Sequence, residues 1–318
     1  MFDRILVPLD GSNLAEAVLP HVVTTAQAFD AQIILLRVME RRDNEKDEET
    51  LSPLRWQLRK SEAEAYLDAV HERLRGIGLQ VEKVILEGDA AERIVTFAHE
   101  QEVGLLVLSS HGRSGLSKWN INSVVQKVIL RAYVPTLIVR AYRAVPENLE
   151  GWRYRKLMVP LDGSQRAEYV LSLATSLAHS QDAQLLLAHV VKKPEIARRA
   201  PLTGEEQELL ERLVAINRKE GEAYMADLES RLSADVHSHL VVGESIAASL
   251  HRLVRQEKVD LVLLSAHGYS GEAQWPYGSV TLNFIAYGAT PLLIVQDISR
   301  EEAEKLKVEE VAQEKKGH

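Results

Sequence analysis

The chain contains no cysteine, and this absence excludes several kinds of chemistry. Without thiols the protein has no disulfides, no thiolate nucleophile and no cysteine-ligated metal, as is common in a reducing cytosol. Basic residues are also in deficit, because 38 lysines and arginines stand against 46 acidic residues and the formal net charge is -8. An acidic chain without a local basic stripe repels phosphate backbones, so we do not expect nucleic acid as a partner.

Long apolar runs are scarce as well. Charged residues, of which Asp3 is the first, interrupt the N-terminal apolar stretch, so we expect no signal peptide. Residues 273–296 carry no charge and are long enough to span a bilayer, but prolines and glycines such as Pro276 and Gly288 divide them. This pattern predicts a loop, a short helix, a turn and a buried strand, and we expect a cytoplasmic protein without a membrane span.

An internal repeat organises what is present. RILVPLDGS (Arg4 to Ser12) recurs as KLMVPLDGS (Lys156 to Ser164), and GLLVLSSHGRSG recurs later as DLVLLSAHGYSG. A third match joins VPTLIVR near the end of the first copy to TPLLIVQ near the end of the second. Matches at separate places in the same order indicate a tandem duplication of one domain.

Each copy alternates short apolar runs with amphipathic stretches. In the first copy the apolar runs predict buried strands at Ile5 to Leu9, Gln32 to Val38, Val81 to Leu86, Leu105 to Leu108 and Thr136 to Val139. The amphipathic stretches predict helices at Leu14 to Phe29, Ser61 to Gly76, Ala90 to Gln101 and Ser123 to Tyr133. The fold class is therefore α/β, with two tandem doubly wound, Rossmann-like domains, each a five-stranded parallel sheet flanked by helices.

We place the first domain at 1–143, a linker at 144–152, the second domain at 153–298 and a charged C-terminal tail at 299–318. Breaks in the apolar pattern mark the linker, and the tail is predicted to be a solvated helix or disordered. Because the linker is short, we expect the copies to pair within the chain through their last strands or neighbouring helices. A homodimer is left open.

The turn after the first strand of each copy reads Asp-Gly-Ser, as Asp10 to Ser12 and Asp162 to Ser164. In a doubly wound sheet, ligands bind beyond the carboxyl ends of the strands, where this turn lies. The same residues also suit a turn followed by a helix cap, since Asp and Gly favour turns and Ser caps helices. Both interpretations stay open from the turn alone.

A second motif follows the fourth strand. Ser109-Ser110-His111-Gly112 and, nine residues later, Asn122-Ser123-Val124 align with Ser265-Ala266-His267-Gly268 and Gly278-Ser279-Val280. A glycine at a strand end lets backbone approach a ligand, and a Gly-Ser pair opening a helix offers amides to a phosphate. We interpret His111 and His267 as packed strand-end histidines, not catalytic ones, and the pair His237 and His239 as exposed, so we predict neither catalytic nor metal-binding residues.

With these motifs the chain resembles the universal stress protein family along nearly its whole length, twice over. The resemblance implies that an Asp contacts adenosine, that a Val at the end of the second strand lines the adenine pocket, and that the later motif holds ribose and phosphates. In the first copy these residues are Asp10, Val38, Gly112, Ser123 and Val124. In the second copy they are Asp162, Val190, Gly268, Gly278, Ser279 and Val280.

The sequence departs from the family pattern in two ways. The family's nucleotide-binding members carry Gly-x2-Gly-x9-Gly-[Ser/Thr] after the fourth strand. Ser109 and Ser265 stand where this pattern has its first glycine, which we expect to crowd the site, and Asn122 replaces the last glycine in the first copy. We expect the second copy to bind better, because Asn122 adds a side chain where backbone approaches phosphate. The loop charges Arg113, Lys118 and Glu272 oppose this ranking, but exposed charges contribute only about 0 to 1 kcal/mol.

The resemblance implies a stress-response regulatory or sensing protein that binds an adenine nucleotide, ATP or else AMP or ADP, with Mg²⁺ as an accompanying ion. Unidentified regulatory proteins are expected partners. The sequence shows no Walker lysine loop and no evident general base, so we expect no enzyme beyond slow ATP hydrolysis. One alternative is an interaction scaffold without nucleotide binding, and another is a slow ATPase or nucleotidyl-transferring enzyme.

Overall fold

The computed structural model describes residues 2–40, 53–112, 121–141, 148–194, 203–269 and 276–297. The chain divides into two compact units, Met1–Arg153 and Tyr154–Ile298. Each unit is an α/β domain with a parallel sheet, as the alternation of apolar runs and amphipathic stretches predicts.

The first unit contains, in order, β1 (Arg4–Pro8), a 3-10 turn (Ala15–Val18), α1 (Leu19–Phe29), β2 (Gln32–Met39), α2 (Pro53–Arg75), β3 (Val81–Glu87), α3 (Ala90–Glu100), β4 (Leu105–Ser109), α4 (Ser123–Ala132) and β5 (Thr136–Val139). Its strands are parallel and lie in the order β3-β2-β1-β4-β5. From β1 the strands β2 and β3 extend the sheet on one side, and β4 and β5 extend it on the other. This switch of side between β1 and β4 opens a crevice at their carboxyl ends.

The second unit contains β6 (Lys156–Leu161), α5 (Gln165–Glu168), α6 (Leu171–Gln181), β7 (Gln184–Lys192), α7 (Gly204–Arg231), β8 (Val236–Gly243), α8 (Ile246–Gln256), β9 (Leu261–Ser265), α9 (Ser279–Tyr287) and β10 (Leu292–Val295). Its parallel strands lie in the order β8-β7-β6-β9-β10, so its switch point is between β6 and β9. The doubly wound, five-stranded fold predicted for each copy is confirmed.

Helix α2 corrects the predicted boundary. It begins at Pro53, whereas the apolar periodicity predicts a start at Ser61. The buried side chains of this helix begin at Ala63, and the earlier apolar residues Leu54 and Leu58 are 73% and 60% exposed. These first turns bury no apolar stripe, so they carry no periodic signal, although a proline in the first turn is a common helix start.

The uncharged stretch of the second copy forms, within its described part, the predicted short helix α9 and buried strand β10. Of the helices in the described ranges, none is long and apolar enough to cross a membrane. The end of the predicted linker packs on the first unit, where the rings of Trp152 and His21 lie 4.4 Å apart and Thr24 Oγ1 donates to Trp152 O at 3.1 Å. Residues 142–147 and the predicted tail at 299–318 lie outside the described residues.

Candidate functional site

A cleft lies at the switch point of each unit. The first cleft has a volume of about 570 Å³, and its lining includes the predicted residues Asp10, Val38, Gly112, Ser123 and Val124. The second has a volume of about 300 Å³, and its lining includes Asp162, Val190, Gly268, Gly278, Ser279 and Val280. The structure thus brings the residues singled out in each copy to one cleft, because the carboxyl ends of parallel strands meet at one edge of the sheet.

The Asp-Gly-Ser turn is built the same way in both copies. Asp162 Oδ1 accepts hydrogen bonds from Ser164 N at 3.0 Å and Ser164 Oγ at 2.6 Å. Ser164 Oγ in turn accepts from Ala167 N at 3.1 Å and caps α5. Asp10 and Ser12 repeat the two bonds at the same distances. The turn interpretation is therefore correct for both copies and the cap interpretation for Ser164, and the second carboxylate oxygen of each aspartate is directed elsewhere.

That second oxygen explains the glycine after the strand-end histidine. A Cβ at Gly268 would overlap Asp162 Oδ2, and a Cβ at Gly112 would overlap Asp10 Oδ2. In the second copy Asp162 Oδ2 also accepts from Tyr269 N at 2.7 Å. The aspartate thus joins the first turn to the loop after β9, and only glycine leaves room for this contact.

The side wall of each cleft comes from the second strand of its sheet. Next to Val38, the Arg37 Nη1 group donates to Leu9 O at 3.1 Å. Next to Val190, His189 Nδ1 lies 2.9 Å from Leu161 O, and because a carbonyl only accepts, this nitrogen carries the proton. Arg37 and His189 occupy the same position in the two copies, and each bonds to the backbone carbonyl of the residue before the cleft aspartate. In the first copy the donor is a permanent cation, and in the second it is an imidazole.

The helix at the far side of each cleft begins differently in the two copies. Asn122 caps α4, since its side chain accepts from Val125 N at 2.8 Å. Gly278 occupies the cap position of α9 and makes no side-chain cap. Their backbones are nearly the same, with φ of -80° and -69°. This turn therefore needs no glycine conformation, and the difference lies in the Asn side chain, which occupies a first-turn amide.

The serines at the first motif position line their clefts, and their hydroxyls bond within the protein. Ser109 Oγ lies 2.7 Å from Leu14 O and 2.8 Å from His111 O, and its single proton serves these two carbonyls. Ser265 Oγ donates to His267 O at 2.7 Å. Both hydroxyls thus bond to backbone within the protein and hold the strand-end loop in place.

A cluster of Glu, Tyr and Arg side chains beside each cleft was not predicted from the sequence. In the second copy, Tyr224 OH donates to Glu168 Oε1 at 3.0 Å, and Arg231 Nη2 lies 3.6 Å from Glu168 Oε2. Burial, then the bond to Glu168 and its charge, raise the pKa of Tyr224 well above its usual value. The hydroxyl therefore stays protonated and remains a donor.

The first copy repeats this cluster with Glu16, Tyr66 and Arg73, where Arg73 Nη1 donates to Glu16 Oε2 at 2.8 Å. Tyr66 lines the first cleft, and burial, followed by Glu16, raises its pKa. A signal was present in the sequence, because Glu64-Ala65-Tyr66 recurs as Glu222-Ala223-Tyr224. Aligning the copies through these long helices would have found it.

The strand-end histidines are buried, at 1% exposure for His111 and 2% for His267. The prediction that they are packed is confirmed, but His267 has a neighbouring acid that the sequence analysis missed. Its Nδ1 lies 2.7 Å from Asp297 Oδ1. In the part of the chain that the structure describes, no group of three or more His, Asp or Glu side chains is placed to hold a metal ion. The predicted loop charges Arg113, Lys118 and Glu272 lie outside the described residues.

Both halves of the chain are similar to known proteins. The family model described as the Universal stress protein family matches residues 1–140 and again residues 153–296. Universal stress protein YxiE of Bacillus subtilis is 30% identical over 149 residues, which are 44% of this chain and 100% of YxiE. Universal stress protein MJ0531 of Methanocaldococcus jannaschii is 28% identical over 151 residues, 44% of this chain and 83% of that protein.

A solved structure resembles the chain over both units. The crystal structure of a universal stress protein from Archaeoglobus fulgidus shares 16% identity with a TM-score of 0.63, and the match covers 93% of this chain and 99% of that one. At this identity the likeness concerns the fold.

Proposed function

The chain belongs to the universal stress protein family, with two family domains in tandem, and we propose that it is a cytosolic stress-response regulatory or sensing protein that binds an adenine nucleotide. The proposed ligand is ATP with Mg²⁺, held more tightly by the second copy than by the first. One observation carries the proposal. Every residue that the family resemblance assigns to the ligand lines one of the two switch-point clefts.

The second cleft offers separate surfaces to the parts of a nucleotide. Val190 and the α8 residues Ile246 and Leu250 supply apolar contact suited to a base. Asp162 Oδ2 accepts one bond from Tyr269 N, and a carboxylate oxygen has capacity for a second, so it can also accept from a ribose hydroxyl.

The phosphates would lie at the start of α9. Because Gly278 makes no side-chain cap, the first amides of this helix are available to an anion, and the helix dipole favours negative charge there. Ser279 adds a hydroxyl to this end of the cleft. Mg²⁺ would be held chiefly by the phosphates and water, as is usual for this ion, and would not need a carboxylate cage.

The first cleft is larger, yet we propose that it binds phosphate less well. The Asn122 side chain already accepts from Val125 N, an amide that a phosphate would otherwise use. Acidic side chains, Asp10, Glu40 and Glu62, also line this cleft beside Arg37 and Arg59. The expected ranking of the copies therefore stays, but we base it on the helix cap that Asn122 forms and not on crowding by its side chain.

We propose binding and regulation in preference to turnover. In the second cleft the aspartate and the strand-end histidine both serve the loop structure, through Tyr269 N and Asp297. Hydrolysis of ATP at a rate typical of metabolic enzymes would contradict this proposal.

Mass spectrometry of small molecules released from the purified, denatured protein tests the ligand directly. The expected result is an adenine nucleotide, and calorimetric titration of the stripped protein with ATP and Mg²⁺ should then show binding. Photolabelling with azido-ATP followed by peptide mapping assigns each event to a copy. If no nucleotide is released and ATP neither binds nor raises the melting temperature, the proposed function is wrong and the scaffold alternative is favoured.

A further inference from the structure

The two copies hold their strand-end histidine by different means. In the second copy His267 Nδ1 lies 2.7 Å from Asp297 Oδ1, with side-chain exposures of 0% and 3%. Arg166 Nε lies 3.5 Å from Asp297 Oδ2, so the carboxylate also has a cation beside it. A buried carboxylate and imidazole at this distance form a strong, well-oriented hydrogen bond.

In the first copy the acid is replaced. Ala141 stands after β5 where Asp297 stands after β10, and Ser110 precedes the histidine where Ala266 does in the second copy. Ser110 Oγ lies 2.9 Å from His111 Nδ1 and accepts from Ala141 N at 3.3 Å. Each copy therefore places an oxygen beside the histidine Nδ1, from the preceding residue in the first copy and from the second residue after the last strand in the second copy.

Two backbone hydrogen bonds next to the histidine are the same in both copies. Ser110 N donates to Val139 O and Ala266 N donates to Val295 O, both at 2.8 Å. Asn122 N bonds to Ser110 O at 3.0 Å, as Gly278 N bonds to Ala266 O at 2.8 Å. The oxygen beside the histidine is carried by a different residue in each copy.

The histidine is placed to control the cleft. His267 is followed at once by Gly268, which packs against the Asp162 carboxylate, and by Tyr269, whose amide bonds to it. Gln296 Nε2 donates to Tyr277 OH at 3.2 Å, directly before Gly278. The two residues that follow β10 thus contact His267 and Tyr277, which adjoin the cleft-lining residues Gly268 and Gly278.

We propose that Asp297 is a positioning residue of the second cleft, and that Ser110 with Ala141 and Ala266 with Asp297 are interchangeable ways of anchoring the same buried histidine. Asp297 acts through His267, whose fixed ring holds Gly268 and Tyr269 against Asp162. The binding readout rests on the proposed nucleotide function, whereas the anchoring itself does not.

The test exchanges the two residue pairs that anchor the histidine within the full-length protein. Asp297→Ala removes the oxygen, and we expect ATP photolabelling of the second copy to need roughly tenfold more nucleotide, the size that a lost charge-assisted hydrogen bond produces. Asp297→Asn keeps an acceptor for the Nδ1 proton and should retain most of the affinity. Asp297→Ala combined with Ala266→Ser installs the first copy's arrangement and should restore binding to within about twofold of the wild type.

A matched control uses the first copy, where Ser110→Ala should weaken binding at that cleft and Ser110→Ala with Ala141→Asp should recover it. Proton NMR adds a readout of the anchor, because the His267 Nδ1 proton should give a downfield signal that Asp297→Ala removes and Asp297→Asn shifts. If Asp297→Ala fails to fold, Asp297→Asn and the exchanged variant still decide the question.

Unchanged ATP binding in folded Asp297→Ala, or an exchanged variant no better than Asp297→Ala, would overturn the inference. If the wild type binds no ATP, the proposed function fails separately. Thermal unfolding then tests the anchor. A lower melting temperature in Asp297→Ala that Ala266→Ser restores supports the anchor, and an unchanged melting temperature in Asp297→Ala refutes it.

Discussion

Replacing Gly278 by Asn tests why the two copies should differ. The substitution gives the second cleft the cap of the first. Gly278 has φ of -69°, which any residue adopts, and a Cβ there would lie 3.6 Å from its nearest neighbours, Ala266 O and His267 Cα. The Asn side chain therefore fits without strain and should accept from the third amide of α9, as Asn122 does from Val125 N at 2.8 Å.

The expected effects on binding and on stability have opposite directions. Occupying one amide removes a charge-assisted hydrogen bond to phosphate, worth about 1.5 to 3 kcal/mol, which lowers ATP affinity about 10- to 150-fold. Asn in place of Gly at a helix cap stabilises by only a few tenths of a kcal/mol. Gly278→Asn should thus bind ATP poorly while its melting temperature stays equal or rises slightly.

Calorimetric titration with ATP and thermal unfolding of the same samples measure both quantities. Gly278→Ala is the matched control, because it adds a Cβ without an acceptor and should keep most of the affinity. Full ATP affinity and stoichiometry in Gly278→Asn would refute the reasoning. An equal loss in Gly278→Ala would also refute it, because backbone crowding and not the cap would then be the cause.

Other substitutions address the remaining contacts. Asp162→Ala should lower ATP affinity. It should also lower the free energy of unfolding, measured in urea, by about 1 kcal/mol, because the carboxylate links two loops in an exposed turn. Gly268→Ala should displace Asp162 Oδ2 and cost a similar amount, but nothing further in an Asp162→Ala background; additive losses would contradict the shared contact. Burial and Glu168 raise the pKa of Tyr224, so its contribution to stability is present below about pH 10 and is lost above it, as Tyr ionises in the unfolded chain. In urea titrations from pH 8 to 11, the free energy of unfolding should therefore fall less steeply with pH in Tyr224→Phe than in the wild type. Separately expressed copies should associate in analytical ultracentrifugation, since a strand left at the edge of each sheet favours pairing, and two stable, mutually indifferent monomers would argue against pairing.

The sequence alone was sufficient for the fold and for the place of the clefts. Strands buried on both faces of a parallel sheet are short, nearly continuous apolar runs, as in Leu105 to Leu108, and such runs can be recognised locally. The Asp-Gly-Ser turn and the later glycine motif follow particular strands, so the switch-point rule brings them together before any coordinates are known. Duplication strengthened both inferences, because each motif occurs twice in the same order.

Contacts between distant parts of the chain were decided only by tertiary structure. His267 and Asp297 are far apart in sequence, and nothing local to either residue predicts that one carboxylate oxygen meets one ring nitrogen. The bonds of Tyr224 to Glu168 and of Tyr269 N to Asp162 are equally long-range. The role of Asn122 required its backbone angles, since the same side chain either crowds a glycine turn or caps a helix according to φ. Residue types and their order therefore determined which strands and turns form, whereas the packed geometry determined which polar atoms pair within the clefts.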